Sequence, residues 1–183
     1  MRRLYGAAMT NAPFPRPTRR RPLLPLVLGA AFLLWAGHAH AQRVGESGLP
    51  IPRFVSLAGE AINVRSGPGK NYPIRWVYTR LGLPVKVVEE FDAWRKVEDQ
   101  DGEQGWIHGS LLSRRRTVMV VAELASLHRT PAREARVLLK AERGVIGRLL
   151  DCNPTWCFLD VGGTRGWMER AGLWGVLPDE MNQ

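Results

Sequence analysis

The chain has 183 residues, with 26 basic and 17 acidic side chains, 45% hydrophobic residues and a formal charge of +9. That length accommodates one or two small domains. The charge does not mark a nucleic-acid binder: residues 1–41 hold six arginines and no acid, so the chain from Gln42 onward carries 20 basic and 17 acidic residues, a balance of +3 with no basic stripe.

The amino-terminal segment has the grammar of an export signal. Arg19 to Arg21 form a positive n-region, Leu23 to Ala36 an apolar run of 14 residues, and Ala39-His40-Ala41 a small-x-small cleavage pattern. Residues 1–41 therefore read as a signal peptide cut between Ala41 and Gln42. The apolar run is shorter than the roughly 20 residues of a spanning helix, so no membrane span is expected after cleavage. Because position 42 is Gln and not Cys, no lipid is expected on the new amino terminus. Met9 is an alternative start to Met1, and the arginine pairs admit a twin-arginine route. Either route makes the mature chain periplasmic or secreted. Gly45, Gly48, Pro50 and Pro52 then interrupt any apolar period, which predicts a flexible linker over residues 42–53.

From Phe54 the pattern is that of short strands. Ile62 and Val64 alternate with Asn63 and Arg65, so a strand here buries the first pair and shows the second. Ser66-Gly67-Pro68-Gly69 breaks it, with Pro68 and Gly69 suited to the central positions of a type II turn. A second strand runs from Ile74 to Tyr78 and a third from Leu83 to Val88, whose Pro84 suggests an edge or a first position. Trp94 to Glu98 and Gly105 to His108 form a hairpin about Asp101-Gly102, and Leu111 and Leu112 close the unit. Asn63-Val64-Arg65-Ser66-Gly67-Pro68-Gly69 resembles the opening signature of the bacterial SH3 domain, a five-stranded barrel common in exported proteins. The resemblance implies an all-β fold and a binding role. Its relatives commonly serve as cell-wall or protein-targeting modules attached to hydrolases.

The same order of residues returns 63 positions later. Asn63 aligns with Ser126, Arg65 with His128 and Pro68 with Pro131; with one residue removed Trp94 aligns with Trp156, and with one more Gly105-Trp106 aligns with Gly166-Trp167. This predicts two tandem SH3-like barrels, residues 54–113 and 117–176, followed by a tail over 177–183. Ala132 replaces the second turn glycine, so the later turn should be type I or open. Arg114 to Arg116 join the barrels, as a solvated linker or as an anion contact. Of the six tryptophans after residue 41, most are expected in the cores, Trp106 and Trp167 above all.

Cys152 and Cys157 are the only cysteines. In an oxidising compartment, at C-x4-C spacing, they predict a structural disulfide across a hairpin neck; a redox or metal pair is the alternative. Aligned on the first copy they replace Glu90 and Arg95. Catalytic candidates are few. His108 and His128 belong to no H-E-x-x-H, Cys-His or G-x-S-x-G pattern, and Asp99 with Asp101 reads as a polar hairpin tip. No enzyme, metal or cofactor is expected. Tyr72, flanked by Asn71 and Pro73, is hard to bury and is expected to line a ligand groove with Asn63 and Arg65. The resulting reading is an exported binding module for peptidoglycan, through its peptide stems. The alternative is a structural or regulatory subunit docked on another envelope protein.

Overall fold

Alternating apolar residues from Arg53 onward form strands throughout. The computed structural model describes residues 43–178 and Glu180. The expected signal peptide, its Ala41–Gln42 junction, the start position and the export route lie outside these residues. Among the described residues no helix is long and apolar enough to cross a membrane.

Two antiparallel sheets of the same order follow one another. The first comprises β3 (Arg53–Leu57), β4 (Ile62–Arg65), β5 (Ile74–Tyr78), β6 (Pro84–Phe91), β7 (Trp94–Glu98), β8 (Gln104–His108) and β9 (Leu112–Ser113), after a small hairpin of β1 (Arg43–Val44) and β2 (Pro50–Ile51). The second comprises β10 (Thr117–Val120), β11 (Leu124–His128), β12 (Val137–Glu142), β13 (Ile146–Cys152), β14 (Trp156–Val161), β15 (Thr164–Glu169) and β16 (Leu173–Trp174). Spatial order is β5-β4-β8-β7-β6-β3-β9 in one and β12-β11-β15-β14-β13-β10-β16 in the other. Each sheet has seven strands: the five expected in the first barrel are β4 to β8, and the two more are β3 and the short β9, which pair with each other along the same sheet. Each encloses a separate core: Val55, Leu57, Ile62, Val64, Val85, Val87, Val97 and Ile107 in the first, Val118, Val120, Leu127, Leu159, Met168 and their neighbours in the second.

Aliphatic residues fill most of these cores, and the expectation for tryptophan holds for Trp106 but not for Trp167. In β8 and β15 the fully buried positions are Ile107 and Met168, at 0% and 1% exposure. Trp106 and Trp156 are buried, but Trp76, Trp94, Trp167 and Trp174 are only partly covered. Small barrels of this width close on Val, Leu and Ile, with Trp76 packed against the first core as a partly buried neighbour.

Where a flexible linker over 42–53 was expected, the described residues 43–53 form a docked hairpin. β1 pairs with β2, and the hairpin docks on the first barrel through Glu90, whose side chain is fully buried. That carboxylate accepts from the Ser47 N–H at 2.7 Å and the Ser47 hydroxyl at 2.8 Å. It also pairs with Arg53 at 2.6 Å and with Arg95 at 3.1 Å. The anchor lies 43 residues downstream of Ser47, out of reach of any local reading of glycines and prolines. The disulfide Cys152–Cys157 is formed. Its members are cross-strand partners, as are Glu90 and Arg95, so an ion pair in one barrel takes the place of a covalent bond in the other.

The barrels pack on each other. β10 is buried on both faces, Val118 and Val120 inward and Thr117 and Met119 outward, which requires a neighbour over its outer side. Phe54 meets Trp174 edge to face at 5.1 Å. Thr117 donates to the Gly82 carbonyl at 2.7 Å, Arg80 to that of Gly144 at 2.7 Å, and Ser56 to that of Arg115 at 2.8 Å. The junction is only partly a solvated linker. Arg114 and Arg115 are exposed, but the Arg116 guanidinium is bound by Glu180 and by the Gly175 carbonyl.

Candidate functional site

The signature loop of the first barrel is organised by Tyr72. Ser66 N–H donates to Pro73 O, Gly69 N–H to Gly67 O at 3.0 Å, and Tyr72 N–H to Gly69 O at 3.3 Å. The bond from Gly69 to Gly67 closes a three-residue turn about Pro68, for which the fixed φ of proline is preset. The expected type II turn is absent, since Gly69 is not among the residues of positive φ. The glycines serve close approach instead. A Cβ on Gly67 would stand 2.3 Å from the Tyr72 ring, and one on Gly69 3.1 Å from it.

The second loop repeats the backbone without the ring. Ala132 N–H donates to Thr130 O, Ala135 N–H to Ala132 O and Arg129 N–H to Arg136 O. Ala135 stands where Tyr72 stands in the first copy, so Thr130 and Ala132 meet no ring. Arg65 and His128 also correspond. Arg65 donates to the Tyr72 carbonyl at 2.7 Å, and the His128 Nδ1 lies 3.0 Å from that of Ala135. Asn63 and Arg65 share the outer face of β4, opposite buried Ile62 and Val64. Tyr72 is 42% exposed, tied to Arg65 through its carbonyl.

A concavity with charged walls lies on the second barrel, a cleft of about 570 Å³ between three elements. One wall is the loop bearing Ala132, Arg133 and Glu134; the second is the β13–β14 turn with Pro154 and Thr155; the third is the end of β15 and the 3₁₀ turn Arg170–Gly172. Trp156 forms its floor, 8% exposed, and meets His128 edge to face at 5.5 Å. A second space of about 410 Å³ adjoins it, lined by Ser126, His128 and Met168. Glu169 and Ala171 line both.

Local bonds hold these walls. The Asn153 carboxamide oxygen accepts the N–H groups of Thr155 at 3.0 Å and Trp156 at 2.7 Å, and the disulfide closes the neck below. Arg170 donates to the Asn153 carbonyl at 3.2 Å and to the Leu177 carbonyl, so it ties the wall together. Arg133 crosses the cleft to Glu169, Nε to Oε1 at 2.5 Å and the terminal nitrogen to Oε2 at 3.2 Å. That carboxylate holds the Arg133 guanidinium above its ordinary pKa.

Residue spacing singled out none of Arg133, Glu169 and Arg170. The signal available was the loop itself, with three arginines between positions 129 and 136. The remaining candidates are structural. His108 receives Ser110 through Nδ1 at the start of a 3₁₀ turn. Asp99 accepts the N–H groups of Asp101 and Glu103, each at 3.0 Å, and the Tyr78 hydroxyl at 2.9 Å. Burial, then that hydrogen bond, raises the Tyr78 pKa. Among the described residues no cluster of three or more His, Cys, Asp or Glu could hold a metal.

A family model described as bacterial SH3 domain matches residues 58–114 and again residues 121–175. No curated protein matches the chain. Solved structures that match include NlpC2 from Trichomonas vaginalis, 16% identical with a TM-score of 0.32, over 67% of this chain and 48% of that one. NlpC1 from the same organism is 16% identical with a TM-score of 0.31, over 67% and 45%. An NlpC/P60 family protein from Bacillus cereus ATCC 10987 is 14% identical with a TM-score of 0.31, over 66% and 55%. The chain thus spans about half the length of these proteins.

Proposed function

The chain belongs to the bacterial SH3 domain family, present in two tandem copies, and from that premise we propose that it is an exported, non-catalytic module that binds the peptide stems of peptidoglycan. The observation that carries this reading is the cleft of the second barrel, with an aromatic floor at Trp156 and opposed charges at Arg133 and Glu169. Peptides that bear both carboxylates and amines offer such a cleft its ionic partners. In this reading Asn63, Arg65 and the Tyr72 ring of the first barrel form a second, flatter contact, and two weak contacts on one rigid pair reinforce each other on a repeating polymer. The disulfide fits a periplasmic or secreted location.

Co-sedimentation of the mature protein with isolated sacculi tests the proposal. Retention that falls on Trp156→Ala is the expected result; complete recovery in the supernatant defeats it. One observation favours docking on an envelope protein. β5 and β12 are outer strands of their sheets and expose Ile74, Val77, Val137 and Leu138, as strand addition requires. Crosslinking in intact cells that traps one defined protein partner would establish that reading.

A further inference from the structure

We infer that the Arg133–Glu169 pair is an exchangeable latch that receives a zwitterionic amino-acid end, a free ammonium and a free carboxylate on one residue; the inference rests on the peptide-binding reading of the cleft. The pair joins two walls, the loop after β11 and the end of β15, and Glu169 lines both concave spaces. It has little structural duty. The two side chains are 78% and 40% exposed, and ion pairs so exposed contribute about 0–1 kcal/mol to stability.

Charge complementarity selects the occupant. An anionic ligand that took Arg133 would leave Glu169, with Glu134 beside it in the lining, facing its own sign. A cationic ligand that took Glu169 would face Arg133 and Arg170. A zwitterion that inserts its carboxylate at Arg133 and its ammonium at Glu169 replaces both charge-assisted hydrogen bonds at once. His128 lines the smaller space, its ring held by Nδ1–H, which donates to the Ala135 carbonyl. The Trp156 ring receives the apolar stem that carries the charged end.

The probe is Nε-(acetylalanyl)lysine, which ends in a free α-ammonium and α-carboxylate, compared with its α-N-acetyl and its α-carboxamide forms. Titrations are followed by the Arg133 Nε–H and Trp156 indole NMR signals. The zwitterion is expected to bind about tenfold or more tightly than either blocked form, as loss of one charge-assisted contact implies. Glu169→Gln should abolish the preference for the free amine, and Arg133→Gln that for the free carboxylate. Comparison of the three probes on the wild-type protein does not depend on how a variant folds. Equal binding of all three, or no binding, overturns the inference. If sacculi retain the protein while the probes do not discriminate, the latch fails and the cell-wall reading stands. If the zwitterion is preferred but sacculi do not retain the protein, the latch stands and the cell-wall reading fails.

Discussion

The ring of Tyr72 occupies the space that a side chain at Gly67 would need, and that single contact explains why the first loop carries glycines and the second does not. Gly67→Ala should destabilise the first barrel by about 1–3 kcal/mol, the usual cost of overpacking. Tyr72→Ala in the same molecule should restore most of it, as a double-mutant cycle in urea would show. Glu90 is a second residue whose role is structural. Burial pushes its pKa up, but the Ser47 N–H and hydroxyl and the Arg53 guanidinium outweigh that and hold it below the ordinary 4.5. A carboxylate lowered on folding contributes stability that is present above the unfolded value and lost as pH falls through the folded one. Glu90→Gln should cost about 3–5 kcal/mol at pH 7, because two guanidinium groups lose their counter-charge. Denaturation midpoints of the variant and wild type should converge progressively below pH 4.5.

Among the elements, the two β-hairpin necks that correspond between barrels are closed by different means. Glu90 pairs with Arg95 in the first and Cys152 bonds Cys157 in the second. The covalent closure spans five residues, so reduction should lower the stability of the second barrel by about 2 kcal/mol in the chain-entropy model. Hydrogen exchange before and after reduction should show faster opening in β13 and β14, with β6 and β7 much less affected. The strands were readable because their period of two is local, as was the disulfide because compartment and spacing constrain it. The hairpin before the first barrel was not, since its anchor is one distant buried carboxylate. The turn type misread Gly69 for a related reason: the glycine answers to a neighbouring ring and not to its own φ.

At the scale of the molecule, the outer faces of β3 and β10 turn toward the other barrel, leaving Phe54, Ser56, Thr117 and Met119 with 6%, 1%, 6% and 2% exposure. Unfolding either barrel strips one covered face from the other, so the pair should melt in one calorimetric transition. Phe54→Ala removes the ring that meets Trp174 and should cost about 3 kcal/mol. Its expected signature is a split transition, with faster amide exchange in β16 although the substitution lies in the first barrel. Sequence alone determined the all-β class, the duplication and the pairing of the cysteines, because each is written in short-range periodicity or in the identity of two residues. Only the tertiary structure decided that the amino-terminal hairpin docks, that the barrels share a face, and that Arg133, Trp156 and Glu169 meet around one cleft. Those residues come from separate strands and loops, and only the closing of the sheet brings them together.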